Sequence, residues 1–169
     1  MKPGREDGEN CSKAKGTAGA AFLLAQLGAH AAAKFAERLE QLHLTPAHAG
    51  IFRILSATPA ISQQALATAL GTVPSRLVGL IDELESQGLV ERRAHETDRR
   101  SHALHLTGKG KATMGSLGRI AREHRQDLLA ALSGEEQNKL AALLERVAEQ
   151  QGLIKGVHPG FAKIAGRRK

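Results

Sequence analysis

Residues 63–110 constrain the fold of this 169-residue chain more than any other stretch. Ser62 is a good N-cap for a helix over residues 63–70. Gly71 follows as the stop of that helix, because glycine adopts a positive φ at little cost. Pro74 suits the first turn of a second helix, whose apolar stripe consists of Leu77, Leu80, Ile81 and Leu84. The pattern predicts two helices joined by a tight turn.

A two-stranded β-hairpin is predicted directly after these helices. Residues 89–93 begin it and residues 103–107 alternate as the returning strand. The connecting segment AHETDRRSH has no apolar anchor, and residues 92–111 hold six Lys or Arg against two acidic residues. Alone, such a hairpin indicates a solvated turn. After two short helices it indicates the wing of a winged helix-turn-helix, which binds duplex DNA.

An ordered set of short motifs, at matching spacing, resembles the MarR family of bacterial transcription regulators. The resemblance covers roughly residues 44–147 and implies an obligate homodimer, a palindromic operator and, often, a small-molecule effector. The matching motifs are Leu44-Thr45, Leu66-Ala67, Leu70-Gly71, Pro74-Ser75, Gly88-Leu89-Val90 with Arg92, Asp98 with Arg100, and Leu106-Thr107 with Gly110.

The chain departs from the family pattern in the second helix. Gly79 stands where the family often has arginine, and Thr72-Val73 replaces a frequent acidic or amide cap. Base reading is therefore expected to rest on Ser75 and Arg76, one turn earlier. In the wing, Asp98 is expected to orient Arg100 into the minor groove. The predicted DNA-binding residues are Ser75, Arg76, Val78, Gly79, Arg92, Arg99, Arg100 and, for orientation, Asp98.

The predicted fold class is mainly α with a small β-hairpin, a winged helix-turn-helix flanked by long N- and C-terminal dimerisation helices. Those helices have apolar faces that a small three-helix core cannot cover, so pairing with a second copy is expected. The predicted boundaries are an arm at 1–16, a MarR-type domain at 17–151 with its winged helix at about 45–110 and its dimerisation helices at about 17–43 and 108–151, and a basic tail at 152–169. The predicted dimerisation residues are Phe22, Leu27, Leu140, Leu143, Leu144 and Val147.

The net charge of +7 favours an acidic partner. Nucleic acid and an anionic membrane both fit that charge, but no apolar run reaches the roughly 20 residues that span a bilayer. The segment AGAAFLLAQLGAHAA resembles a short secretion signal, yet acidic residues precede it and the pattern continues as an amphipathic helix. A cytoplasmic protein that binds double-stranded DNA, and no membrane, is expected.

No enzyme, metal or cofactor site is predicted. The chain has a single cysteine, Cys11, and this excludes a disulfide scaffold. Cys11 lies in the polar arm, and a redox role is left as an alternative. The eight histidines form no HxxxH motif, and no nucleophile motif or phosphate-binding glycine loop is present. The expectation is a binding protein with no catalytic residues.

An effector pocket is predicted from His30, Phe35, Phe52 and His124. Having no Trp or Tyr and only four Phe, the chain should build a largely aliphatic pocket. Its positive charge favours a small anionic organic effector, such as an aromatic carboxylate or an acyl-CoA. The predicted function is a repressor that an effector releases from its operator. The alternative is a DNA-binding protein of architectural, nucleoid type with no ligand.

Overall fold

A computed structural model describes residues 15–94, 102–153 and 156–157. The chain divides after Lys34 into two units. Helix α1, Lys15–Glu40, begins in the first unit and ends in the second. Helix α1 therefore begins at Lys15, two residues before the predicted start of the domain at residue 17. In the described part of the first unit, residues 15–34 are helical throughout.

The second unit contains the winged helix. After α1, its elements are α2 Pro46–Ala57, β1 Ile61–Ser62, α3 Gln63–Leu70, α4 Pro74–Ser86, β2 Val90–Ala94, β3 His102–Leu106, α5 Gly108–Leu128 and α6 Gly134–Gln150. Helices α3 and α4 form the predicted helix-turn-helix, and β2 and β3 form the predicted hairpin. The predicted fold class, mainly α with a winged helix-turn-helix between long terminal helices, is confirmed, and the role of those helices in dimerisation stays a prediction.

Side-chain caps fix where these helices begin. Ser62 Oγ accepts the backbone N–H of Ala65 at 3.2 Å and starts α3, as predicted. Ser133 and Glu136 form a capping box at the start of α6. At the end of α3, Gly71 has a φ of 62°, a conformation that favours glycine. The turn before α4 is therefore specified by local chemistry.

The sheet has three antiparallel strands in the order β1-β3-β2. Pairing of Val90 with Leu106 and of Ala94 with His102 sets the hairpin register. The prediction of two strands missed β1, in which Ile61 pairs with Leu104. A strand of two residues is too short to show alternation in a sequence, so only its partner strand reveals it.

One apolar core lies beneath α2, α3, α4 and the sheet. Its fully buried side chains are Leu39, Ile51, Phe52, Leu66, Leu70, Leu77, Ile81, Leu84 and Leu104. Phe52, which was predicted to line an effector pocket, belongs to this core and is fully buried. The ring is large and apolar, and α2 points it inward with Ile51. The core holds α4 against the rest of the unit and leaves the opposite face of this helix at the surface.

The start of α5 is locked to the base of the wing. Thr107 Oγ1 donates to the carbonyl of Gly88 at 2.7 Å and accepts the N–H of Gly110 at 3.0 Å. A Cβ on Gly110 would lie 2.1 Å from the carbonyl oxygen of Leu89. No side chain fits there, which explains why threonine and glycine occupy these positions three residues apart.

Candidate nucleic-acid interface

The exposed face of α4 is the candidate reading surface. The predicted residues Ser75, Arg76, Val78 and Gly79 are all exposed. Gly79 has open space where a side chain would be, with no heavy atom within 4 Å of an added Cβ. The opposite face is buried in the core through Leu77, Ile81 and Leu84. A helix with one face packed in the core and the other exposed has the form that enters a major groove.

The N-terminal end of α4 is also suited to DNA. Its N-cap residue, Val73, makes no side-chain capping hydrogen bond. Backbone N–H groups at a helix start carry partial positive charge and bind phosphate oxygens well. Arg76 lies in this first turn and adds a full positive charge.

Arg92 connects the wing to the C-terminal half of α4. Its Nη1 donates to Glu85 Oε2, and its Nη2 donates to Asp82 Oδ1 at 2.5 Å. Its backbone N–H also donates to Glu85 Oε1, at 3.2 Å. The side chain is only 22% exposed. Both ends of the guanidinium of Arg92, a residue predicted to contact DNA, are thus engaged by carboxylates of α4.

We expect Arg92→Ala to weaken DNA binding without removing a phosphate contact. Loss of the two ion pairs should free β2 to move relative to α4, while Asp82 and Glu85 become uncompensated. Arg93→Ala is the matched control, because Arg93 is 61% exposed on the same strand and pairs only locally with Glu91 among the described residues. Affinity measured against salt concentration separates the roles, since each lost phosphate contact lowers the slope of log K against log salt by about 0.9. An unchanged slope with lower affinity is expected for Arg92→Ala. A slope lowered by one contact would restore Arg92 as a phosphate ligand.

A largely apolar cavity of about 340 Å³ lies between α2 and α5. The charged residue on its wall is Arg53, which makes no ion pair with any residue in the described ranges. Its guanidinium lies against Gly156, where an added Cβ would be 3.3 Å from Nη1. The lining residues are Phe35, Pro46, Ala49, Gly50, Arg53, Met114, Leu117, Gly118, Ala121, Gly156 and Val157.

The cavity includes one of the four residues predicted for an effector pocket. Phe35 lines the wall, and the ring of His124 packs on the Phe35 ring at a centroid distance of 5.3 Å without lining the cavity. Phe52 lies in the core. His30 is exposed on the first unit. Sequence reasoning missed Arg53, because an arginine in an amphipathic helix normally indicates a solvated face.

Among the described residues, α1 and α6 each expose several large apolar side chains. In the first unit, α1 exposes Phe22 and Leu27, together with Leu23 and Leu24. In the second unit, α6 has no buried residue. Its apolar positions recur at the spacing of one helix face and are Leu140, Leu143, Leu144 and Val147. All but the half-buried Leu140 are exposed.

Some predicted features lie outside the described residues. These are the wing residues Asp98, Arg99 and Arg100, together with Cys11. Among the described residues, no three His, Cys, Asp or Glu side chains are grouped so that they could hold a metal ion. In the same ranges, no helix combines the length and the apolar character needed to cross a bilayer.

Comparison with known proteins agrees with this architecture. A model of the MarR family matches residues 44–102. A candidate transcriptional regulatory protein for the hcr operon of Thauera aromatica is 34% identical over 107 residues, or 63% of this chain. That match spans 64% of the relative, somewhat less than two thirds of its length.

Solved structures extend the comparison over most of the chain. The transcriptional repressor CouR, bound to a 23-mer DNA duplex, is 31% identical with a TM-score of 0.68. That alignment covers 84% of this chain and 99% of CouR. A mutant MarR from E. coli complexed with operator DNA is 24% identical, with a TM-score of 0.66, and shares the fold. That alignment covers 75% of this chain and 91% of the MarR chain. The chain belongs to the MarR family, whose winged-helix fold it has.

Proposed function

We propose that this protein is a sequence-specific, DNA-binding transcriptional regulator that inserts α4 into the major groove. The observation that carries the proposal is the exposed face of Ser75, Arg76, Val78 and Gly79 on a helix whose other face is locked in the core. The DNA-bound repressor CouR, of similar sequence and fold, supports it. Arg99 and Arg100, with Asp98, remain predicted wing contacts.

We further propose that the protein acts as a homodimer on a palindromic site. The apolar stripe of α6 and the exposed apolar residues of α1 each need a cover, and a second copy supplies both by symmetry. Two copies would present two α4 helices, and two-fold symmetry in the protein requires two-fold symmetry in the operator. The predicted domain boundaries are kept in this proposal, with α1 now beginning at Lys15.

Selection from a randomised duplex library tests the proposal directly. The full chain should enrich one palindromic sequence, called here the selected duplex, over a scrambled duplex of equal composition. Two half-sites separated by about one helical turn, 10–10.5 base pairs, are expected for a dimer of this class. Enrichment of bent or A·T-rich sequences with no common motif would instead indicate architectural binding.

The cavity between α2 and α5 is the proposed effector site, and the protein acts as a repressor released by that effector. A volume of about 340 Å³ is at the small end of the range for small-molecule sites, so one ring with a short substituent fits and an entire acyl-CoA does not. The apolar walls suit the ring, and Arg53 suits a carboxylate, which a guanidinium binds in two parallel hydrogen bonds. We therefore favour an aromatic carboxylate over an acyl-CoA.

Thermal-shift measurements with aromatic carboxylates and their matched amides test this site. At least one carboxylate should stabilise the protein and release the selected duplex, whereas its amide should do neither. A ligand at 100 times its Kd stabilises by about 2.7 kcal/mol, and Arg53→Gln should abolish that effect. Arg125→Gln, an exposed arginine in the last turn of α5 that does not line the cavity, is the control. Equal stabilisation by acids and amides would show that Arg53 does not bind the carboxylate of the ligand.

One observation favours the alternative function. Gly79 places no side chain in the middle of the reading face, which permits close approach but offers no base contact. A protein that contacts only the sugar-phosphate backbone of DNA would tolerate that glycine. The ratio of affinities for the selected and scrambled duplexes separates the two functions, because architectural binding gives a ratio near one.

A further inference from the structure

A buried histidine lies directly beneath the reading helix. His48 occupies the third position of α2 and is 2% exposed. In the part of the chain that the structure describes, it is the one polar or charged residue that is buried. Burying an imidazole is costly unless its nitrogens find partners. Its two ring nitrogens therefore decide what this residue does.

Nδ1 of His48 is occupied within α2. The backbone N–H of Thr45 donates to Nδ1 at 3.2 Å, and the N–H of His48 donates to Thr45 Oγ1 at 3.3 Å. These two hydrogen bonds form a capping box. Because Nδ1 accepts, the proton of the neutral imidazole must be on Nε2.

Nε2 points toward the reading helix. It lies 3.1 Å from Oε2 of Glu83, within ion-pair distance, and it makes no hydrogen bond with any of the described residues. The pair is close but not well aligned as a hydrogen bond. Glu83 is 62% exposed, so its side chain is free to rotate into alignment at little cost. Burial lowers the pKa of His48 and Glu83 partly opposes that effect, which leaves a neutral N–H donor at neutral pH.

Glu83 is on the face of α4 that reads DNA. It follows Arg76 by seven residues and Gly79 by four, and these spacings place all three on one side of the helix. A carboxylate on that side would repel phosphates if it were extended toward the DNA. Contact with His48 draws it back toward α2. The same contact links the C-terminal half of α4 to a buried residue of α2.

We propose that His48 is a positioning residue. It holds Glu83 and thereby fixes the position of α4 relative to α2, on which discrimination between DNA sequences depends. The proposal rests on DNA binding through α4, as proposed above. His48 itself touches no DNA. Its contribution should therefore appear in binding to the selected duplex and little in binding to the scrambled duplex, which depends mainly on phosphate contacts.

Three variants test the proposal. His48→Leu removes both the cap and the Nε2–H group that faces Glu83, and should lower affinity for the selected duplex by about tenfold, the effect expected when a charged group loses a close donor. Glu83→Ala should do the same for the selected duplex, while affinity for the scrambled duplex stays equal or rises as an acidic group is removed. His48→Gln keeps an acceptor for Thr45 and a donor for Glu83, and should restore binding to within about threefold.

The double variant His48→Leu/Glu83→Ala closes a mutant cycle. If the two residues act through each other, the double loss should be close to either single loss and well below their product. Circular dichroism of each variant establishes that it is folded before binding is compared. Tight binding by folded His48→Leu, failure of His48→Gln to rescue, or independent losses in the double variant would each overturn the proposal. Equal losses of all variants on both duplexes, with selection still enriching one palindrome, would leave DNA binding in place and refute positioning.

Discussion

Replacing Arg76 with alanine is expected to lower affinity for the selected duplex by about tenfold to a hundredfold, the loss typical of a bidentate guanine contact. Arg76 is exposed in the first turn of α4, on the face opposite the buried Leu77 and Ile81. Gly79, one turn later, has no side chain to share the reading. Among the described residues of α4, Arg76 is therefore the side chain that can pair in two places with one base edge.

Fluorescence anisotropy with labelled duplexes measures this loss. The scrambled duplex should lose only a few-fold affinity, because it loses one phosphate-attracting charge. Arg76→Lys is the matched control, since lysine keeps the charge and lacks the planar fork. It should behave nearly as the native chain on the scrambled duplex and nearly as Arg76→Ala on the selected one. Equal losses on both duplexes for Arg76→Ala would show that Arg76 contacts phosphate and that another residue reads the bases.

Replacing Leu143 with aspartate is expected to convert a dimer into monomers. Leu143 is 48% exposed in the single chain, so the charge is tolerable in a monomer and very costly in a dry dimer interface. Sedimentation of the native chain at micromolar concentration should give twice the chain mass of 18.0 kDa. The variant should give the single mass and lose most affinity for the palindrome, because each half-site then binds alone.

Ala142→Asp is the matched control for this prediction. Ala142 is the adjacent, exposed residue of α6, and its position is roughly opposite Leu143 and Val147 on the helix. It should leave the dimer intact. If Leu143→Asp unfolds the chain, the melting temperature of the native protein at several concentrations gives the answer, because a dimer melts higher when concentrated. A native chain that sediments as a monomer and still binds the palindrome would contradict the dimer.

The helix-turn-helix was predictable because its signals are local. Ser62, Gly71 and Pro74 each act within one turn of the chain, through a cap, a positive φ and a fixed φ. The exposed reading face followed from the same helical spacing. These are properties of short segments, and tertiary structure changes them little.

The features that the sequence did not reveal depend on contacts between distant segments. Arg92 appeared to be one more basic wing residue until Asp82 and Glu85 were found on both sides of its guanidinium. His48 carried no signal of its own, because its partner Glu83 lies on another helix, 35 positions later in the numbering. Arg53 likewise gained meaning only from the apolar cavity beside it.

The ratio of affinities for the selected and scrambled duplexes, measured at about 0.15 M salt, decides whether α4 reads DNA sequence. Specific regulators bind their sites about a thousandfold or more tightly than random DNA, and we expect a ratio in that range for the native chain. We also expect the ratio to persist as salt is raised, since base contacts release fewer counterions than phosphate contacts. A ratio near one at every salt concentration would contradict sequence-specific reading by α4 and favour the architectural alternative.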